Sequence, residues 1–229
     1  MVPTLMSAPY LTMLLADGRL PSGAHTQSAG VEPALTGGGM RLAEVPDYVT
    51  VRLRTVTEVE AAVAVVARSL WLAGAPGARL PALVGLDAAW RARTVSDALR
   101  EAADLLGRSY LRMAATVWDL AELADARRTW CRAVVVGVTA AAAGSSATET
   151  ARLVAFDDVQ TVLAAALKLV PFDPSQSVAW AVGASAEVEA LVQRVSALTS
   201  STDLPAPSAP LVEQWGQRHR DTERRLFRA

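Results

Sequence analysis

Two histidines, His25 and His219, are the first candidates for chemistry, because an imidazole nitrogen is a common metal ligand. They lie near opposite ends of the chain, and neither belongs to a His-x-x-x-His or Glu-x-x-His pair. A zinc or di-iron site made by one chain normally needs such pairs, so we predict no metal site here. Two readings stay open: a metal ion contacts a histidine where an oligomer brings copies together, or each histidine forms hydrogen bonds in a loop or interface.

Other catalytic groups are sparse. The phosphate-binding pattern Gly-x-x-x-x-Gly-Lys-Ser/Thr and the nucleophile pattern Gly-x-Ser-x-Gly are both absent from the sequence. The single cysteine, Cys131, excludes an intrachain disulfide, and its Ala- and Val-rich surroundings predict a buried, inert thiol. We therefore predict a protein that is not an enzyme, with no catalytic residues and no cofactor bound directly.

The only lysine of the chain, Lys168, lies in an apolar segment among many arginines elsewhere. One reading is a side chain whose stem covers the core while the ammonium group reaches water. The other is a charge at a partner interface. The residues around it favour the first reading.

The last twelve residues are strongly basic and also contain two large apolar side chains, Leu226 and Phe227. The basic residues are Arg218, His219, Arg220, Arg224, Arg225 and Arg228. A solvated helix end tolerates such cations near its C-terminus. A docking tail would use arginine for ion pairs and phenylalanine as an anchor. The residues alone do not decide between these readings.

Composition sets the class of protein. The 229 residues are 52% hydrophobic, with a mean hydropathy of +0.25 and a net charge of −1. The longest nearly apolar run, Ala133 to Gly144, is shorter than the roughly 20 residues that span a bilayer. The later run from Leu153 to Val170 carries Asp157, Asp158 and other polar residues, which predicts a helix with one wet face. We expect a soluble cytoplasmic protein that binds neither nucleic acid nor membrane.

Spacings of three and four residues between apolar positions predict helices along most of the chain. The predicted long helices are Glu44 to Leu72, Asp87 to Leu123, Ala126 to Ala143, Ser146 to Val170, Asp173 to Leu198, and Ala209 to Arg225. Ser146 with Glu149 forms a capping-box pattern, and Asp173 precedes a proline suited to a first helical turn. No alternating strand pattern stands out, so the fold class is all-α.

We predict one helical domain, residues 1–229, built as a bundle of about 7–10 helices. Its parts are an N-terminal helix or arm (residues 1–14), a glycine-rich loop region (residues 15–40), and a C-terminal docking tail (residues 211–229). Small alanine side chains let such helices pack closely.

Three blocks, in matching order and spacing, resemble the urease accessory protein UreF family. The first is Leu15 to Glu32, which resembles the family's Pro-x-Gly stretch followed by Ser-x-Gly-(Leu/Ile)-Glu. The second is Arg100 to Ala114. The third comprises Arg218-His219 and Arg225-Leu226-Phe227, similar to the family's ending. The resemblance covers nearly the whole chain and is most specific in the first and third blocks.

The resemblance implies a helical, non-catalytic scaffold that acts as a chaperone in nickel insertion. Members of this family resemble GTPase-regulating folds and work as homodimers. They bind the accessory protein UreD (also called UreH), recruit the GTPase UreG, and dock on apo-urease. Nickel is then handled by the partner complex. The alternative is a helical GTPase-regulating or interaction protein outside urease maturation.

The resemblance also assigns a partner interface. In the first block it implies His25, Gln27 and Glu32. Lys168 matches a basic position near the UreG-facing surface, and Arg152 with Phe156 matches an arginine and an aromatic residue on the UreG-binding face. The third block supplies the remaining positions, which are Arg218, His219, Arg225, Leu226 and Phe227.

Overall fold

The computed structural model describes residues 8–75, 77–220 and 226–227, and within them the fold is all-α, with no β-strand. The α-helices are α1 (Ala8–Leu15), α2 (Val31–Thr36), α3 (Val45–Leu53), α4 (Val56–Ala73), α5 (Arg79–Arg91), α6 (Asp97–Ala114), α7 (Ala121–Ala124), α8 (Arg132–Ala142), α9 (Ala147–Leu169), α10 (Pro174–Gly183), α11 (Ser185–Val195) and α12 (Pro210–Arg220). Short 3-10 helices span Ala24–Thr26, Leu42–Glu44 and Ser201–Asp203.

Helices α4 and α8 form the centre of the bundle. Each is buried along most of its length, and α4 packs against α5, α8, α9 and α11. Gly137 lets α8 lie very close to α4, because a Cβ atom there would lie 2.1 Å from the carbonyl oxygen of Ala64. The many buried alanines of α4 and α8 likewise let the two helices pack closely in the core.

The described residues contain more helices than predicted, because tertiary contacts interrupt several long patterns. The predicted helix from Glu44 to Leu72 breaks into α3 and α4 at Thr55, whose φ of −132° and ψ of −97° are not helical. The break lets Arg54 pair with Glu187 of α11 at 2.6 Å.

The pattern from Asp87 to Leu123 divides in the same way into α5, α6 and α7, and α10 and α11 divide near Ala184. The predicted helix from Ala126 begins only at Arg132. The buried carboxylate of Asp87 accepts the N–H of Cys131 at 2.9 Å and holds the preceding residues outside the helix. Cys131 itself is fully buried, as predicted.

Local capping signals were predicted correctly. The Ser146 hydroxyl accepts the N–H of Glu149, while the Glu149 carboxylate accepts the N–H of Ser146, as in a capping box. Asp173 caps α10, whose first residue is Pro174. These signals mark the first residues of α9 and α10. No helix within the described residues combines the length and apolarity needed to cross a membrane.

Candidate functional site

A strained turn at Ala29 and Gly30 connects the glycine-rich loop region to helix α2. Both residues have positive φ values, 50° and 80°. The carbonyl oxygen of Ala29 accepts the Tyr48 hydroxyl at 2.7 Å and the Arg52 guanidinium at 3.0 Å. A Cβ atom at Gly30 would lie 2.7 Å from the Tyr48 oxygen, so both the backbone conformation and the contact require glycine. The turn places Glu32 in α2 with its side chain buried.

The Glu32 carboxylate accepts hydrogen bonds from two backbone N–H groups near the other end of the chain. One oxygen, Oε1, accepts the N–H of Leu226 at 2.6 Å, and Oε2 accepts the N–H of Phe227 at 2.8 Å. The Nε2 atom of His219 lies 3.2 Å from Oε2 and 3.1 Å from the carbonyl oxygen of Phe227. Glu32 and His219 are only 5% and 3% exposed, so these contacts are largely shielded from water.

Lys168 contacts the same segment from the last turn of α9. Its Nζ atom lies 5.3 Å from the centre of the Phe227 ring, a cation–π distance. Phe227 is 5% exposed, whereas Leu226 is 63% exposed. The lysine is itself exposed, so its charged group is solvated on one side and faces an aromatic ring on the other.

A surface pocket of about 300 Å³ adjoins this segment and gathers further predicted interface residues. His25 and Gln27 line it from the first block, Phe156 and Lys168 from α9, and Phe227 from the tail. Gln27 is buried, while His25 is exposed in the 3-10 helix Ala24–Thr26. The tail therefore forms one wall of a pocket whose other walls belong to the bundle.

Arg152 lies one helical turn before Phe156 on the outer side of α9. Its guanidinium makes two hydrogen bonds to the Glu189 carboxylate of α11, at 2.7 and 2.8 Å. Phe156 is 42% exposed. Arg152 and Phe156 form an amphipathic patch continuous with the pocket.

On the side of α9 that faces the bundle, two largely buried aspartates pair with arginines. Asp158 pairs with Arg52 at 2.5 Å and accepts the Thr57 hydroxyl at 2.7 Å, while Asp157 pairs with Arg132 at 2.6 Å. The predicted wet face of α9 is confirmed, since Gln160 and Lys168 are exposed, but Asp157 and Asp158 turn away from it because arginines of α8 and α3 pair with them. Buried charges are tolerated when they are paired and hydrogen-bonded.

These pairs border an inner cavity of about 130 Å³ that shares Gln27 and Asp157 with the surface pocket. Burial would raise the pKa of Asp158, but the charge and hydrogen bonds of Arg52, with the Thr57 hydroxyl, hold it below its usual value. Glu60 also faces the cavity and accepts the Trp90 indole N–H at 2.5 Å. Burial raises the pKa of Glu60 above its usual value.

Sequence reasoning missed the set of residues that supports the first block, namely Tyr48, Arg52, Thr57 and Asp158. Arg52 offered a usable signal, since it falls among apolar residues of a helix, where a charge requires a partner. The identity of that partner could not be read from the sequence, because Asp158 lies 106 positions away.

Two predicted site residues remain, Arg218 and Arg225. Arg218 is exposed on the last turn of α12, next to the buried His219. Arg225 lies outside the described residues. Within the described parts of the chain, no three His, Cys, Asp or Glu side chains are grouped so as to hold a metal ion. The arrangement is therefore suited to holding peptide segments through main-chain hydrogen bonds, an aromatic contact and charge.

The comparisons with known proteins all indicate the same family. The sequence model of the UreF family matches residues 41–184. The chain is 33% identical over 225 residues to a urease accessory protein UreF of Mycolicibacterium vanbaalenii, covering 97% of this chain and 99% of that protein. It is 30% identical over 229 residues to the UreF of Mycobacterium marinum, with the same coverage. A third relative, from Mycobacterium sp. (strain JLS), is 33% identical over 219 residues, which cover 94% of this chain and 96% of that protein.

These relatives match 94–97% of the chain, whereas the family model matches residues 41–184. Together with the all-α fold, this coverage shows that the similarity is not limited to the central helices. The chain belongs to the UreF family of urease accessory proteins.

Proposed function

We propose that this chain is a non-catalytic, cytoplasmic scaffold in urease maturation. It binds UreD (UreH), recruits the GTPase UreG, and acts as a homodimer that presents both to apo-urease. Nickel is cargo of the assembled complex, and the scaffold binds no cofactor of its own.

The observation that carries this proposal is the convergence of predicted interface residues from both ends of the chain. Glu32, His219, Leu226 and Phe227 contact one another, and the adjoining pocket adds residues of the first block and α9. A surface that joins main-chain hydrogen bonding, a buried aromatic ring and an exposed cation is well suited to a protein partner.

The two proposed partners are assigned to different parts of this surface. The tail and first block are assigned to UreD, since Phe227 of the tail and His25 and Gln27 of the first block line the same pocket. The patch of Arg152 and Phe156 is assigned to UreG. An exposed aromatic residue beside an arginine is a frequent anchor pair at interfaces.

Co-purification tests the proposal directly. The full chain is mixed with UreD and UreG from the same source, without nucleotide, with GDP and with GTP, and complexes are analysed by size-exclusion chromatography with light scattering. We expect a complex containing two copies of this chain. The absence of a complex in every nucleotide state would contradict the proposal.

A second measurement separates urease maturation from a role elsewhere. In cells that lack this gene, we expect urease activity to be lost and to return when the full chain is supplied. Normal urease activity in such cells, together with UreG binding in vitro, would favour a GTPase-regulating role outside urease maturation.

A further inference from the structure

An arginine patch lies on the surface where α6 meets the turn between α7 and α8. Arg108 and Arg112 are exposed and lie one helical turn apart on α6. The Arg108 guanidinium donates to the Thr129 hydroxyl at 3.3 Å, which joins α6 to the turn. The five members of the patch are Arg91, Arg108, Arg112, Arg127 and Arg128.

Two of these arginines are held in place by aspartates and an aromatic ring. Arg91 pairs with Asp87 at 2.8 Å and with Asp104 at 2.6 Å. Arg128 also pairs with Asp87 at 2.8 Å, and its guanidinium lies 4.4 Å from the centre of the Trp130 ring. Arg91 and Arg128 therefore have fixed positions and partly neutralised charges.

The other arginines leave the patch with an excess of positive charge. The exposed Asp125 adds one negative charge, so five arginines stand against three aspartates in a chain whose net charge is −1. Arg112 and Arg127 are both exposed, and neither forms an ion pair with any residue that the structure describes. Their guanidinium groups are available to a partner.

Arg127 occupies a backbone conformation that non-glycine residues rarely adopt, with a φ of 51°. The turn is held in this shape by Asp87, which is fully buried. One carboxylate oxygen of Asp87 accepts the N–H of Cys131 at 2.9 Å, and the other accepts the Arg128 guanidinium. A strained conformation persists where its surroundings enforce it, and such strain is concentrated at functional positions.

We propose that the arginine patch is a docking surface for an acidic peptide segment of a partner protein. Arginine binds carboxylates through two parallel hydrogen bonds, which suits it to this role better than lysine. Arg108 and Arg112 are separated by about 6 Å along α6. Carboxylates one turn apart on an acidic helix have a similar spacing.

The side chain next to these arginines favours a protein as the occupant. Leu105 lies three residues before Arg108 on the same side of α6 and is 36% exposed. An apolar contact beside arginines is typical of protein interfaces, whereas a nucleic-acid backbone is bound mainly through its phosphates.

The arginine patch differs from the surface proposed for UreD and UreG. None of its five arginines lines the surface pocket that gathers His25, Phe156, Lys168 and Phe227. Binding of an acidic segment at the patch therefore requires neither UreD nor UreG.

Fluorescence anisotropy of fluorescein-labelled hexaglutamate, titrated with the full-length chain, tests this proposal. We expect binding about tenfold tighter than that of labelled hexaglutamine at about 50 mM salt, and weaker binding at about 300 mM, because salt screens exposed charges. Absence of hexaglutamate binding at the lower salt concentration would overturn the proposal.

A pair of double variants separates the patch from the overall charge. Arg112→Gln with Arg127→Gln should weaken hexaglutamate binding about tenfold, since two carboxylate contacts are lost. Arg19→Gln with Arg41→Gln is the matched control, because it removes the same charge from two exposed arginines outside the patch. The control should change binding less than about twofold. Equal weakening in the two double variants would overturn the patch as the binding surface.

Arg127→Gly distinguishes binding from a role in folding. Glycine adopts a positive φ without strain, so the urea midpoint of unfolding should stay the same or rise. Hexaglutamate binding should weaken about threefold, because one guanidinium is lost. A lower urea midpoint with unchanged hexaglutamate binding would show that Arg127 serves the fold alone and would overturn its place in the docking surface.

Two other anionic probes identify the class of occupant. Tighter binding of hexathymidylate, or of vesicles of phosphatidylserine and phosphatidylcholine, than of hexaglutamate would overturn the acidic peptide as the occupant. Hexaglutamate binding by a chain that forms no complex with UreD or UreG would overturn the proposed function alone. A chain that binds both partners but not hexaglutamate would overturn the docking surface alone.

Discussion

The first block makes two sets of buried contacts with the rest of the protein, and the two sets involve different parts of the chain. On one side, Arg52 holds the carbonyl oxygen of Ala29 and pairs with Asp158, so α3, α9 and the turn form one unit. On the other side, Glu32 holds the backbone of the tail. Both contacts are buried and charged, yet the first joins parts of the core and the second joins the core to a chain end.

We therefore expect the Arg52–Asp158 pair to affect mainly the stability of the fold and the Glu32 contact to affect mainly partner binding. Breaking the Arg52–Asp158 pair leaves a charge stranded inside the bundle, which affects the whole fold. Breaking the Glu32 contact exposes a carboxylate and a terminal segment that can both return to water, so the bundle should persist. The following predictions test this separation, beginning with the largest effect.

Replacing Asp158 by Asn should lower the free energy of unfolding by about 3–5 kcal/mol, because Arg52 loses its buried counter-charge. Urea denaturation followed by circular dichroism at neutral pH measures the change. Glu189→Gln is the control, since it removes an ion pair of similar geometry, Arg152–Glu189, from the surface. That loss should stay below about 1 kcal/mol. Similar losses in the two variants would remove the distinction between buried and exposed pairs.

The same pair predicts a stability change in acid. The pKa of Asp158 in the folded protein is below its ordinary value of 3.8. Its contribution to stability is therefore complete above pH 3.8 and is lost as the pH falls through the folded-state pKa. Comparing wild type with Asp158→Asn across this range should show the difference in unfolding free energy shrinking towards low pH. A constant difference would show that the carboxylate charge is not the cause.

Deleting all residues after Gln217 should weaken UreD binding about thirtyfold, equivalent to about 2 kcal/mol. The deletion removes His219 and Phe227 but none of helices α1–α11. Circular dichroism should show a retained helical fold, and surface plasmon resonance gives the affinity. Unchanged affinity in the truncated chain would remove the tail from the proposed UreD interface.

The double substitution Arg152→Ala with Phe156→Asp should weaken UreG recruitment about tenfold and change UreD binding much less. Both side chains lie on the exposed side of α9, and the Arg152 guanidinium bonds to Glu189 of α11. Pull-down with each partner separately measures the two effects. Equal loss of both partners would instead indicate misfolding of α9.

The smallest effect is expected from Glu60→Gln in the inner cavity. Burial raises the pKa of Glu60 above 4.5, so its carboxyl group favours the folded state fully below pH 4.5 and loses this contribution as the pH rises. Glutamine cannot titrate and can still accept the Trp90 indole N–H. The variant should therefore gain stability relative to wild type between pH 4.5 and pH 7. A gain that appears only on acidification would contradict this sign.

Part of this fold could be read from local sequence. Helical periodicity predicted the all-α class, and Ser146 with Glu149 and Asp173 with Pro174 marked two helix starts correctly. These signals work because capping bonds join residues within one turn of each other. The breaks at Thr55 and before Arg132 were missed, because they follow from contacts with α11 and with Asp87.

The sequence by itself determined the helical class, the scarcity of catalytic groups, and the order of the blocks that relate this chain to the UreF family. Only the tertiary structure decided that Asp157 and Asp158 face inward and that Glu32 meets residues 226–227. The reason is physical. Periodicity reports which residues share a helix face, whereas burial and pairing depend on which distant segment that face meets, here across 194 positions of the chain.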